Sequence, residues 1–221
     1  MVRSSGILKN MSQSTTPMSG RRAQAAHNDQ TILAAARAVF LDDPDAPIAA
    51  VAERAGVGIS ALYRRYVSKE DLLRRLCADG LESYTAAAEA ALADEGDAWT
   101  AFAGFLRRVV DADIASLTLR LAGTFVPSEE LYRASERAQA LNERLFERTK
   151  AAGVIRPDLA VDDLSFLLEQ LASIQVGDEE RTRELRQRYL VLLLDAFRTP
   201  STTPLPGPAP TWDEIRRRWQ T

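Results

Sequence analysis

Residues Ala52 to Leu73 read AERAGVGISALYRRYVSKEDLL. Two glycines and a Tyr-Arg-Arg-Tyr cluster interrupt segments that otherwise have helical character. Gly56 follows a stretch, Ile48 to Ala55, that presents Ile48, Val51, Ala52 and Ala55 on one side. A left-handed residue at that place ends a helix at least steric cost. Val57 drops inward as the hinge of the turn, and Gly58 takes the capping position of the next helix. That helix, Ile59 to Tyr66, turns Leu62 inward and leaves Ile59, Ser60, Ala61, Tyr63, Arg64 and Arg65 facing out. Two short helices joined across a glycine turn form a helix-turn-helix. Small residues at the start of the second helix suit close approach to base edges in a major groove.

Working outward, Ile32, Leu33, Ala36, Val39 and Phe40 form one apolar stripe of a helix that starts near Asp29. The run LDDPDAP stops it at Pro44, and Pro47 suits the first turn of the Ile48 helix. Downstream, Lys69 to about Leu92 reads as one long helix ended by DEGD. Further helices are expected over about Ala98–Ala122, Ser128–Ala152, Val161–Val176 and Asp178–Phe197. No segment alternates with period two, so the fold class is all-α. The expected division is a mobile N-terminal arm (1–27), a three-helix DNA-binding head (28–76), a helical ligand-binding and dimerisation bundle (77–198) and a Pro-rich tail (199–221). Within the tail, Thr211 and Glu214 form a capping box that starts a short closing helix with Trp212, Ile215 and Trp219.

Composition excludes several function classes. One cysteine, Cys77, and one histidine, His27, leave no scope for a disulfide framework, a zinc cluster or histidine-based catalysis. No metal, cofactor or catalytic residue is expected. GVGIS lies between helices, not after a strand, and no Gly-Lys-Ser/Thr follows, so it is no phosphate loop. Paired acids such as Asp42/Asp43 and Asp162/Asp163 sit at helix breaks or starts, where acids at the start favour the helix dipole. No run of 18 apolar residues and no signal-peptide pattern occurs, which reads as a cytoplasmic chain without a membrane partner. Residues 1–76 hold 11 Lys and Arg against 7 Asp and Glu, a net of +4, within a chain of net charge −3. A basic head on an acidic remainder fits one part that meets an anion and one that does not. Arg21 and Arg22 in the arm read equally as phosphate contacts or as a solvated basic spot.

The head resembles the N-terminal domain of the TetR family of transcriptional regulators. The match rests on Ala50-Val-Ala-Glu-Arg-Ala-Gly-Val-Gly58, Leu62-Tyr-Arg-Arg-Tyr66 and Ser68-Lys-Glu-Asp-Leu-Leu73, and spans about Ile32 to Leu76. GVIRPDLAVDD is similar to the loop that often precedes the first dimerisation helix there. The resemblance implies a ligand-responsive regulator, a repressor that binds a palindromic double-stranded DNA operator as a homodimer and is released by a small molecule. It implies that Ile59, Ser60 and Ala61 face bases while Tyr63, Arg65 and Lys69 hold phosphates. Arg64 shares their outward face. Three positions depart from the family pattern: Gly58 where serine is usual, Arg65 where histidine is common, and Pro47 where a phosphate-binding threonine is common. The alternative reading is a helical homodimeric interaction or sensor protein without DNA binding.

In the remainder, Tyr189 to Leu194 are six consecutive apolar residues wrapped around all sides of a helix, which must then be buried all round. Packing on its own core and on a twin achieves that, as does a fully internal position. A dimer interface is therefore expected at Leu168, Leu171, Tyr189, Leu192, Leu193 and Phe197. A mainly apolar effector pocket is expected from Phe102, Phe105, Leu106, Leu121, Phe125 and Phe166, with Gln170 as a polar determinant.

Overall fold

The computed structural model describes residues 17–200 and 203–219, those of 17–26, 118 and 119 by backbone alone. The elements are α1 (Pro17–Asp42), α2 (Ile48–Ala55), α3 (Ile59–Arg65), α4 (Lys69–Ala93), α5 (Ala98–Asp111), α6 (Ile114–Leu121), α7 (Glu129–Ala151), α8 (Asp163–Ala172), α9 (Glu179–Phe197) and α10 (Trp212–Arg217). Among the described residues there is no strand. The all-α expectation holds.

The first helix departs from expectation. Residues 1–16 of the expected arm lie outside the described residues, but 17–27 are the first turns of α1. The stretch Arg21-Arg-Ala-Gln-Ala-Ala26 has no apolar stripe to mark it, yet every residue in it is a good helix former. Once the packed turns from Ile32 onward nucleate the helix, such residues extend it. A second difference lies at 98–122, where one helix was expected and two form. Asp113 adopts a left-handed φ of 53° between α5 and α6 and turns the chain there. Its carboxylate accepts from Ser116 Oγ in the first turn of α6.

Two cores result. Ile32, Leu33, Ala36, Phe40, Val51, Leu62, Leu72 and Leu76 close the head, and Leu117, Leu121 and Phe125 of the second domain enter the same cluster. The other cluster centres on Phe102, Phe105, Leu106, Leu145, Phe146, Leu164, Leu190 and Leu194. The head is thus seated on α6. Polar links fasten the seat. Arg37 of α1 donates to the carbonyls of Ala112 (2.8 Å) and Asp113, and Arg186 of α9 donates to the Asp113 carboxylate. Arg186 is buried and also donates to the Ala172 and Ile174 carbonyls at 2.7 and 3.1 Å. Arg148 of α7 serves the open end of α4, donating to the carbonyls of Ala91, Leu92, Asp94 and Gly96 at 2.6–3.3 Å.

Candidate nucleic-acid interface and effector cavity

Gly56 caps α2 at φ 66°, with its N–H on the Glu53 carbonyl at 3.1 Å and the Val57 N–H on Ala52 at 3.0 Å. A side chain there would be strained in a left-handed backbone. Gly58 opens α3 with no side-chain cap. Leu62 is the buried anchor of α3, while Ile59 (40% exposed), Ser60, Tyr63 (49%), Arg64 and Arg65 face outward and Ala61 is half-buried. Ser68 caps α4 by accepting from the Asp71 N–H at 3.1 Å, and Asp71 accepts from the Val67 N–H at 3.1 Å. The turn between α3 and α4 is therefore locked from both sides.

Asp29 on α1 holds α3 from beneath. Its carboxylate accepts from Arg65 Nε at 2.5 Å and from the Tyr66 hydroxyl. Burial works to raise the Asp29 pKa, but the hydrogen bonds from Arg65 and Tyr66 and the Arg65 charge outweigh it. The group stays ionised below its ordinary range. Burial and the bond to Asp29 push the Tyr66 phenol up. Lys69 donates to the Pro44 carbonyl at 2.8 Å and stands 5.2 Å from the centre of the Phe40 ring. It pins the α1–α2 loop from the first turn of α4.

Beneath the head lies a cavity of about 190 Å³. Cys77, Gly80, Leu81 and Tyr84 of α4 form one wall; α6 adds Ile114, Ala115 and Leu117; α7 adds Leu131, Tyr132, Ser135, Ala138, Gln139 and Asn142. Ser165, Leu168 and Glu169 of α8 and Trp212, Ile215, Arg216 and Trp219 of the tail close it. Its charges are paired. Arg218 binds both oxygens of buried Glu169 at 2.7 Å, and Arg216 pairs with Asp213 at 3.0 Å. Gln139 donates to Asp162 at 3.0 Å and Glu143 at 3.2 Å. Burial pushes the Cys77 thiol up to about 12, so it stays neutral.

Residues 32–76 match the model of bacterial regulatory proteins, tetR family, and residues 96–199 match the C-terminal domain of SbtR-like transcriptional regulators. The chain belongs to the TetR family. A TetR transcriptional regulator from Streptomyces coelicolor is 26% identical with a TM-score of 0.56, over 78% of this chain and 99% of its own. The TetR transcription regulatory protein from Mycobacterium vanbaalenii is 25% identical with a TM-score of 0.56, over 80% and 99%. The TetR-like regulator LfrR from Mycobacterium smegmatis, solved in complex with proflavine, is 25% identical with a TM-score of 0.55, over 76% and 96%. No curated protein matches the chain. As a TetR regulator it is a transcription factor with a DNA-binding helix-turn-helix and not an enzyme. No described helix is long and apolar enough to cross a membrane.

The helix-turn-helix brings Ile59, Ser60, Ala61, Tyr63, Arg64, Arg65 and Lys69 to one end of this TetR regulator. Arg21 and Arg22 lie on the first turns of α1, their side chains outside the described ones. The pocket expectation needs correction, because none of its residues lines the cavity. Phe102, Phe105 and Leu106 are wholly buried in the second core, and Leu121 and Phe125 belong to the first. Phe166 lies at the surface under Arg218, and Gln170 is exposed. Large aromatics are efficient core fillers, so their density marked packing and not a void. The polar lining that was missed, Gln139 and Asn142, did leave a signal: two amides three residues apart among inward Ala138, Leu141 and Leu145. The interface expectation is corrected in part. Leu168, Leu171 and Phe197 are buried within the protomer, whereas Tyr189 and Leu192 are exposed and Leu193 is half-buried.

Proposed function

We propose that this TetR regulator is a repressor that binds a near-palindromic double-stranded DNA operator as a homodimer and is released by a small, mainly apolar effector. The observation that carries the reading is the course of α4. Its first turn holds Lys69 beside the recognition helix, and its third to fifth turns, Cys77 to Tyr84, form a wall of the cavity. From Lys69 to Tyr84 the rise is about 22 Å. A molecule that fits the cavity only when α4 tilts changes the spacing of the two recognition helices, which must match turns of DNA.

Ile59, Ser60 and Ala61 face base edges in this reading; Tyr63, Arg64, Arg65 and Lys69, joined by Arg21 and Arg22, hold phosphates. The dimer forms through the apolar residues left exposed on α8 and α9: Phe166, Tyr189, Val191 and Leu192. The protein works in the cytoplasm, where its DNA lies. The test is a gel shift with the DNA upstream of its own gene, repeated with compounds that raise its melting temperature. A stabilising compound should weaken operator binding about 5- to 150-fold, and operator should weaken compound binding by the same factor. Equal compound affinities for free and operator-bound protein would overturn the switch.

A further inference from the structure

We propose that the tail segment 203–219 is a built-in wall of the effector cavity, and that this wall selects a small neutral apolar molecule carrying a hydroxyl group. The inference deepens the effector reading above and rests on it.

The tail is fastened at both ends. Near its start, Arg156 donates to the Thr203 carbonyl at 2.6 Å, and Asp158 accepts from the Leu205 N–H at 2.9 Å. Arg156 and Asp158 are themselves paired at 2.7 and 2.9 Å. At its end, Arg218 clasps Glu169, and Trp219 packs edge-on against Phe125 with ring centres 6.0 Å apart. Between these clasps α10 begins in a full capping box, Thr211 with Glu214, and turns Trp212, Ile215 and Arg216 onto the cavity. A helix of six residues is marginal alone and persists here by docking.

The cavity presents two unpaired polar atoms. Asn142 Oδ1, on a residue 4% exposed, and Arg216 Nε are both buried without a hydrogen-bond partner. One is an acceptor on α7 and the other a donor on α10. A buried polar group left unpaired is costly, so a ligand that supplies the complements gains by doing so. A hydroxyl is both donor and acceptor. A carboxylate offers nothing to Asn142 Oδ1 and adds an uncompensated charge, since Glu169 and Arg216 already have ionic partners. An apolar cavity of about 150 Å³ takes benzene. The volume here, about 190 Å³, suits one substituted ring while the tail is in place.

The test is calorimetric titration of the full chain with 4-ethylphenol, ethylbenzene and 4-ethylbenzoate. The phenol should bind on the order of tenfold tighter than ethylbenzene, and the benzoate weakest. Asn142→Leu should reduce that preference to about twofold or less, and so should Arg216→Met, which keeps the aliphatic stem and deletes the donor. Circular dichroism of each variant reports folding, and two variants on different elements keep the test independent of either one. If ethylbenzene equals the phenol, or the benzoate binds tightest, the ligand class is wrong while the cavity stands as an effector site. If Arg216→Met leaves the phenol affinity unchanged, the tail is no part of the site. Failure of all three to bind overturns ligand class and closed geometry together; the DNA-release test, which uses any stabilising compound, then judges the effector reading separately.

Discussion

The guanidinium of Arg186 and the carboxylate of Asp113 form an ion pair that ties α9 to the junction between α5 and α6. The same junction receives Arg37 from α1 through two carbonyls, so the DNA-binding head and the presumptive dimer helix share one anchor. Arg186→Ala strips the Asp113 carboxylate and two helix-end carbonyls of their donor. It should lower stability by about 3 kcal/mol in urea unfolding. Asp113→Asn keeps an acceptor and tolerates the left-handed backbone, and should cost about half as much.

Asp29 sets an acid limit on the head. Its pKa is depressed in the fold, so its contribution is fully present above the unfolded value near 3.8 and is lost as pH falls through the lower folded value. Stability should therefore fall as pH drops below about 4. Asp29→Asn should flatten that part of the profile and weaken the protein at neutral pH. Thermal unfolding between pH 3 and 7 measures both effects.

The phosphate and base roles separate by salt dependence. Arg65→Ala and Lys69→Ala should weaken binding to all DNA sequences about equally and flatten the salt slope by roughly one unit each. Lys69→Ala should also destabilise the head by about 1 kcal/mol, because it abandons the Pro44 carbonyl and the Phe40 ring. Ser60→Ala should instead change the preference between operators. Gel shifts over a salt series distinguish these outcomes, and a change of sequence preference in Lys69→Ala would reverse the assignment.

Neighbouring leucines of α9 should behave oppositely. Leu192 is 57% exposed in the protomer and Leu194 is buried. Leu192→Arg should leave circular dichroism intact and yield monomers by light scattering. Leu194→Arg should unfold the protomer itself, since it buries an unpaired charge at a cost of several kcal/mol.

The helix-turn-helix was legible from the chain alone because its determinants are local. Gly56, Pro47, the cap Ser68 and the single inward Leu62 each act within a turn or two, so neighbours in sequence are neighbours in space. The same holds for the capping box at Thr211 and Glu214. Local signals failed where distant packing decides. Phe102 and Phe105 look like pocket walls in sequence, yet α5 delivers them into the core, and the void forms where α4, α7 and the tail diverge around Asn142 and Arg216. The Arg65–Asp29 bond joins residues 36 apart and the Arg186–Asp113 bond residues 73 apart. The sequence by itself determined an all-helical TetR regulator with its reading head at Ile59 to Lys69. Only the tertiary structure decided which apolar side chains fill space, which leave it open and which remain for a partner, because burial depends on where helices meet and not on what each helix carries.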